Sequence, residues 1–231
     1  MDCATVHADV VSSDVVGYAS TDVAQGFAMY TSCFKAVDGD YKIGDIQVEG
    51  ANGMGGDTAQ LVETDGSWGQ MYYYLTDDGS FVPDGWYKDM FGGEPVTDDD
   101  FLTTGQSLFL TMDSDTTMTV AGRVFKGQPT VDVAAGFSMV GNPIPVTVKF
   151  SEITVTGANG MGGDTAQRVL ADGSWGQMYY YLTDDGSFVP DGWYKDMFGG
   201  EPVTDEDTLE PGEGVFVTTD ADITITFPAA L

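Results

Sequence analysis

Apolar and polar residues alternate in short stretches along this chain instead of recurring at helical spacing. Ile223-Thr224-Ile225-Thr226-Phe227 shows the pattern most cleanly, and Val146-Thr147-Val148-Lys149-Phe150 repeats it. Thr116-Thr117-Met118-Thr119-Val120 keeps the threonines and changes the apolar partners. A period of two sends successive side chains to opposite faces, so each stretch reads as a half-buried antiparallel strand. Asp65-Gly66, Asp78-Gly79, Asp84-Gly85 and Gly92-Gly93 supply turns between strands. Many Thr, Val and Tyr, with few of the Ala, Leu, Glu and Lys that favour helices, leave helix little room. The pattern predicts an all-β protein built as two tandem β-sandwich or jelly-roll-like domains.

The number two comes from an internal repeat. At an offset of 107, Gly50 to Asp98 aligns with Gly157 to Asp205, and 46 of 49 positions are identical. Only Leu61/Arg168, Glu63/Leu170 and Thr64/Ala171 differ. Upstream the match continues at an offset of 110, with Asp22-Val23-Ala24-Gln25-Gly26-Phe27 facing Asp132-Val133-Ala134-Ala135-Gly136-Phe137. The chain therefore divides into an extension (1–15), a first copy (16–124), a linker (125–129) and a second copy (130–231). In the near-identical block even exposed-type residues such as Gln70, Lys88, Asp89 and Glu94 are retained. A recent local duplication explains that, and so does a surface that both copies present to the same ligand or subunit.

Charge narrows the partners. Thirty-seven acidic against eight basic residues give a formal charge of −29 over 231 residues. Such a chain repels nucleic-acid backbones and anionic membranes. Its 42% hydrophobic content is too high for a disordered acidic tail. The load is spread evenly: residues 1–126 hold 21 acidic and 5 basic side chains (−16), and residues 127–231 hold 16 and 3 (−13). No apolar run is long enough to span a membrane. Met1 to Val10 carries no recognisable signal peptide, as expected of a cytoplasmic protein or of a secreted one whose signal has been removed.

Candidate chemistry is sparse. His7 is the only histidine and lies in the extension, so neither a catalytic triad nor a zinc site is expected. Carboxylates cluster at Asp77, Asp78, Asp84 and Asp89, and again at Asp184, Asp185, Asp191 and Asp196. Oxygen-rich, Gly-spaced loops of this type suit calcium, although no EF-hand spacing is present, and a solvated acidic face is the plainer reading. A glycosidase pair would need two carboxylates across one cleft, whereas every candidate acid here occurs twice, so no enzyme is expected. Cys3 and Cys33 fall outside the repeat pattern; they are either a disulfide, within or between chains, or two buried thiols. Trp68, Tyr73, Trp86 and Tyr87, with their equivalents Trp175, Tyr180, Trp193 and Tyr194, are core filler, a subunit interface or platforms for sugar rings.

Val16-Gly17-Tyr18, Val23-Ala24-Gln25-Gly26-Phe27, Asp84-Gly85-Trp86-Tyr87 and Leu209-Glu210-Pro211-Gly212-Glu213-Gly214-Val215-Phe216-Val217 resemble motifs of a loose group of bacterial secreted or cell-surface β proteins. Copy one departs from the last motif, reading Thr103-Thr104-Gly105-Gln106-Ser107. The resemblance implies extracellular envelope or matrix material and no catalytic residue. The expectation that follows is a non-enzymatic extracellular structural protein whose subunits polymerise head to tail into a filament, sheath or surface layer. The extension, with Val6, Val10, Val11, Val15 and Val16, would be available as a donor strand. The alternative is a tandem carbohydrate-binding module.

Overall fold

A computed structural model describes residues 15–37, 39–63, 65–184 and 189–230. Cys3, His7, Asp185 and most of the extension lie outside the described residues, and with them the proposed donor strand and one end of the Cys3–Cys33 pair. The protein is all-β. Copy one contains β1 (Val16–Val23), β2 (Gly26–Thr31), β3 (Tyr41–Lys42), β4 (Gln47–Glu49), β5 (Met54–Val62), β6 (Trp68–Leu75), β7 (Gly85–Tyr87), β8 (Phe101–Leu102), β9 (Ser107–Met112) and β10 (Thr116–Arg123). A single helical turn, α1 (Asp77–Ser80), follows β6. Copy two repeats the strand set as β11 (Thr130–Val133), β12 (Gly136–Gly141), β13 (Val148–Lys149), β14 (Thr154–Thr156), β15 (Met161–Val169), β16 (Trp175–Leu182), β17 (Gly192–Tyr194), β18 (Thr208–Leu209), β19 (Gly214–Thr219) and β20 (Ile223–Thr226).

The strands form small antiparallel sheets with the same order in both copies. Copy one has β1-β10-β4, β2-β9-β5-β6-β7 and the pair β3-β8; copy two has β11-β20-β14, β12-β19-β15-β16-β17 and β13-β18. The alternation read from the sequence decides which face of each strand is buried. In β6, Tyr72 and Tyr74 point into the core while Tyr73 between them stays half-buried. They join Leu108 and Leu110 of β9, Met118 and Val120 of β10, and Val48 of β4 in one apolar cluster between the five- and three-stranded sheets. Copy two builds the same cluster with different fillers: Ile225 stands where copy one has Met118, Phe227 for Val120 and Phe150 for Ile43. Its Phe150 ring stacks on Tyr179 at 4.2 Å.

One expected strand and one expected turn came out differently. The alternation over 146–150 yields only Val148–Lys149: Asn142 Nδ2 holds Val146 O at 2.8 Å at one end, and Phe150 opens a 3-10 turn (Phe150–Glu152) at the other. At Asp78-Gly79 the expected turn is a four-residue helical one closed by Phe81 at φ 64°. That is left-handed backbone, unusual for a bulky residue.

Candidate functional site

The two copies meet through the outer faces of their five-stranded sheets, and the contacts are reciprocal. Thr31 N–H donates to Gly212 O at 2.8 Å, and Gly141 N–H, at the position equivalent to Thr31, donates to Gly105 O, equivalent to Gly212, also at 2.8 Å. Tyr30 bridges Glu213 while its counterpart Val140 bridges Gln106, the counterpart of Glu213. Phe27 lies against Gly173 and Phe137 against Gly66. At the centre Phe109 meets its own equivalent, Phe216, with ring centroids 5.9 Å apart. Phe27 and Trp68 flank Phe109, and Phe137 and Trp175 flank Phe216. Contacts in which i meets j and j meets i are those a two-fold axis generates, so this joint closes on itself.

Where the copies touch near that axis, they differ. Thr31 and Ser107 of copy one face Gly141 and Gly214, their equivalents in copy two. A Cβ on Gly141 would lie 2.4 Å from Thr31 Cγ2, and one on Gly214 would lie 2.6 Å from Ser107 Oγ. Two of the block's three differences, at 63/170 and 64/171, involve residues that meet the other copy, and the third, Arg168, lies one residue removed from it. Ala171 O accepts the Phe27 N–H at 3.0 Å. Arg168 Nε pairs with Glu213 Oε1 at 2.7 Å, and Glu213 is the residue bridging Tyr30. Glu63, the counterpart of Leu170, lines a small cavity with Val131, Val133 and Met139 of the other copy.

The loop after β7, together with the start of β5 and the residues after α1, forms an apolar tip. Met90 packs over Gly55, next to Met54, and Val82 packs over Gly92, next to Phe91. Phe91 is 81% exposed and Met54 73%; their equivalents Phe198 and Met161 are 81% and 74% exposed. Phe81, the residue with left-handed backbone, is 91% exposed beside Val82. The loop is firmly set: Asp89 Oδ1 accepts Phe91 N–H at 2.8 Å and Oδ2 accepts Glu94 N–H at 2.6 Å, and Asp196 does the same for Phe198 and Glu201. These backbone donors pull both carboxyls below the usual carboxylate range. Lys88 Nζ leans back to Asp100 Oδ2 at 2.9 Å, as Lys195 does to Asp207.

Asp100 and Asp207 anchor the loop's far end. Burial raises the Asp207 carboxyl, but the Thr204 N–H, Lys195, the Thr204 hydroxyl and Tyr179 more than offset it and bring its pKa to about 2. The reciprocal effect shows on Tyr179, where burial first and the Asp207 hydrogen bond second push the phenol up to about 12.

Against this geometry the sequence-derived candidates separate. Of the carboxylates proposed for calcium, Asp84 and Asp191 accept the amides of Asp77 and Asp184 at 2.8 Å, Asp89 and Asp196 hold the tips, and Asp78 is exposed. Among the described residues no three Asp, Glu, His or Cys side chains converge as a metal site would require. Of the aromatics, Trp86, Tyr87, Trp193 and Tyr194 are corrected to core residues: they are buried, and Trp86 Nε1 donates to Ile46 O and Trp193 Nε1 to Ile153 O at 3.0 and 3.1 Å. Trp68 and Trp175 are half exposed at the rim of the joint, and Tyr73 and Tyr180 are half-buried. Cys33 is wholly buried, and burial pushes its thiol up to about 12. Sequence reasoning missed the tip residues Met54, Met90 and Phe91. Their signal was a Met-Phe pair immediately before Gly-Gly, retained unchanged in both copies.

No protein-family model, curated protein or solved structure matches this chain.

Proposed function

We propose that this protein is a non-enzymatic, extracellular structural subunit that polymerises, each copy being a β-sandwich of a three- and a five-stranded sheet. One observation carries the reading. Two of the duplicated block's three differences involve residues that meet the other copy, and the large exposed apolar residues of the block recur unchanged. Residues at 61, 63 and 64 changed, while the exposed Met54, Met90 and Phe91 kept their identities in copy two. A surface kept identical on both halves of a rigidly joined pair makes the chain divalent, and divalency is what a linear polymer needs.

The occurrence of every candidate carboxylate in duplicate fits a structural role better than a single catalytic cleft. Because the intramolecular joint closes on itself, the contact between chains uses other surfaces than the joint. A tandem glycan-binding module is the second reading, favoured by the half-exposed Trp68 and Trp175. Electron microscopy of the purified protein at rising concentration separates them. Long ordered polymers support the structural reading, whereas a monodisperse monomer with saturable binding on a glycan array supports the other.

A further inference from the structure

We infer that the outward tip formed by Met54, Phe81, Val82, Met90 and Phe91, together with its counterpart around Met161, Met197 and Phe198, is the surface through which one chain joins a second copy of itself, tip against tip. The inference rests on the structural reading above and names its contact.

Three independent features single out the tip. The first is exposure of an unusual kind: phenylalanines and methionines project from a surface otherwise dominated by carboxylates, and in both copies they project to the same extent. A chain with a formal charge of −29 can approach its own kind closely only where the surface is uncharged. At the tip Lys88 is turned back onto Asp100, and the Asp89 carboxylate is turned onto the loop's own amides, which leaves the apolar side chains foremost. The second is preorganisation. Those amide bonds hold Phe91 outward before any partner arrives, so little order remains to be imposed on contact. The third is Phe81, which closes the α1 turn with left-handed backbone, its N–H on Asp77 O at 3.2 Å, and leaves its ring exposed beside Val82.

The partner follows from the duplication. An isologous contact between two single tips would end at a dimer, but each chain carries two tips, neither of which supplies the joint contacts described above, so tip-to-tip contacts propagate. The two phenylalanines offer roughly 300–500 Å² on one side. Twice that area, buried between two tips, lies at the weak end of specific interfaces, below about 1,200 Å². Growth should therefore be reversible and concentration-dependent, and favoured by salt, which screens the like charges.

The test uses the full chain and three variants, Phe91→Ser, Phe198→Ser and the double substitution, followed by sedimentation velocity from micromolar to millimolar protein at low and at 0.5 M salt. Both phenylalanines are exposed, and unchanged far-UV circular dichroism and melting temperature confirm that the variants fold. Wild type should grow into species larger than dimers, each single variant should stop at dimer, and the double variant should stay monomeric. If wild type grows and a single variant grows equally far, tip-to-tip joining is overturned while the polymer reading stands. If wild type remains monomeric at every concentration and salt, both fall. A set of Met54→Glu and Met161→Glu variants that grows like wild type overturns the inference as well.

Discussion

The most demanding consequence of the reciprocal joint lies at Gly141. Replacing it by alanine adds one carbon, which would sit 2.4 Å from Thr31 Cγ2 and 2.7 Å from Thr31 Cβ and Ser107 Oγ. The hydroxyl can rotate away, but the Thr31 Cβ is fixed to backbone, so the two sheets must part by a large fraction of an ångström. Overpacking of this kind costs about 1–3 kcal/mol. Gly141 does not have left-handed backbone, so alanine returns about 0.4–1 kcal/mol by restricting the unfolded chain. The net loss is about 1–2 kcal/mol, and larger if parting the sheets breaks the Gly141–Gly105 or Thr31–Gly212 bond. For a chain of this length that lowers the melting temperature by about 2–8 °C.

The cycle is completed with Thr31→Gly, which removes the opposing side chain. Alone it also loses the 2.6 Å bond from Thr31 Oγ1 to Gln106 O and is destabilising. In the double variant alanine faces glycine with the sizes exchanged between copies, so the two changes should together cost less than their sum by about 1 kcal/mol or more. Urea unfolding followed by far-UV circular dichroism gives the free energies. Tryptophan fluorescence reports the joint, because Trp68 and Trp175 pack on Phe109 and Phe216 there. Additivity within about 0.3–0.5 kcal/mol would mean that Thr31 and Gly141 do not oppose each other, and the two-fold joint would be wrong.

Other consequences are quicker to check. Asp207 has a folded pKa of about 2 against an ordinary 3.8, so it contributes about 2 kcal/mol that is fully present above pH 4 and lost as the pH falls towards 2. Asp207→Asn should flatten the acid limb of a stability-against-pH curve, and an unchanged limb would contradict the network. Phe216→Ala, which empties the middle of the joint, should cost about 3–5 kcal/mol in the same urea assay, and a loss under 1 kcal/mol would contradict its place there. Cys33, buried with its thiol at about 12, should resist a thiol reagent in the native protein. In urea without reductant, two reactive thiols per chain speak against the Cys3–Cys33 disulfide and none supports it. If calcium occupies the acidic loops, chelation lowers the melting temperature, and an unchanged one removes that proposal.

The strand faces were legible because a period-two pattern needs only local sequence: Thr117 and Thr119 outward with Met118 and Val120 inward holds in β10. Over 146–150 the same pattern misleads, since alternation does not reveal that Asn142 ties down Val146 O or that Phe150 turns into a 3-10 helix. The repeat showed that two equivalent units exist, but not how they sit against each other. That depends on Phe109 meeting Phe216 and on a glycine facing a threonine, relations between residues more than a hundred positions apart. The aromatics illustrate the same limit. Trp86 and Trp68 read alike in sequence, yet one is sealed in the core with its indole N–H on Ile46 O and the other lies half open at the joint. The acidic residues were visible as clusters. Their role as acceptors for nearby amides appears only once the loop from Tyr87 to Asp100 is folded.

The joint also bears on why two copies are fused at all. An isologous contact between free single units would be satisfied by any pair, and its strength would depend on concentration. Here the Thr31/Gly141 and Ser107/Gly214 pairs make copy one fit copy two better than itself, since two copy-one surfaces would bring threonine against threonine and serine against serine. Fusion through a short linker keeps the fitting partner at high effective concentration. The joint is thereby closed within each chain and withdrawn from competition between chains. Only the identical outward faces are then left to meet other molecules, so each chain offers two contacts of one kind. The charge of −29, shared as −16 and −13 between the halves, works in the same direction. It discourages side-by-side association along the whole surface and leaves end contacts as the approach of least repulsion, which is why added salt should thicken as well as lengthen any polymer this chain makes.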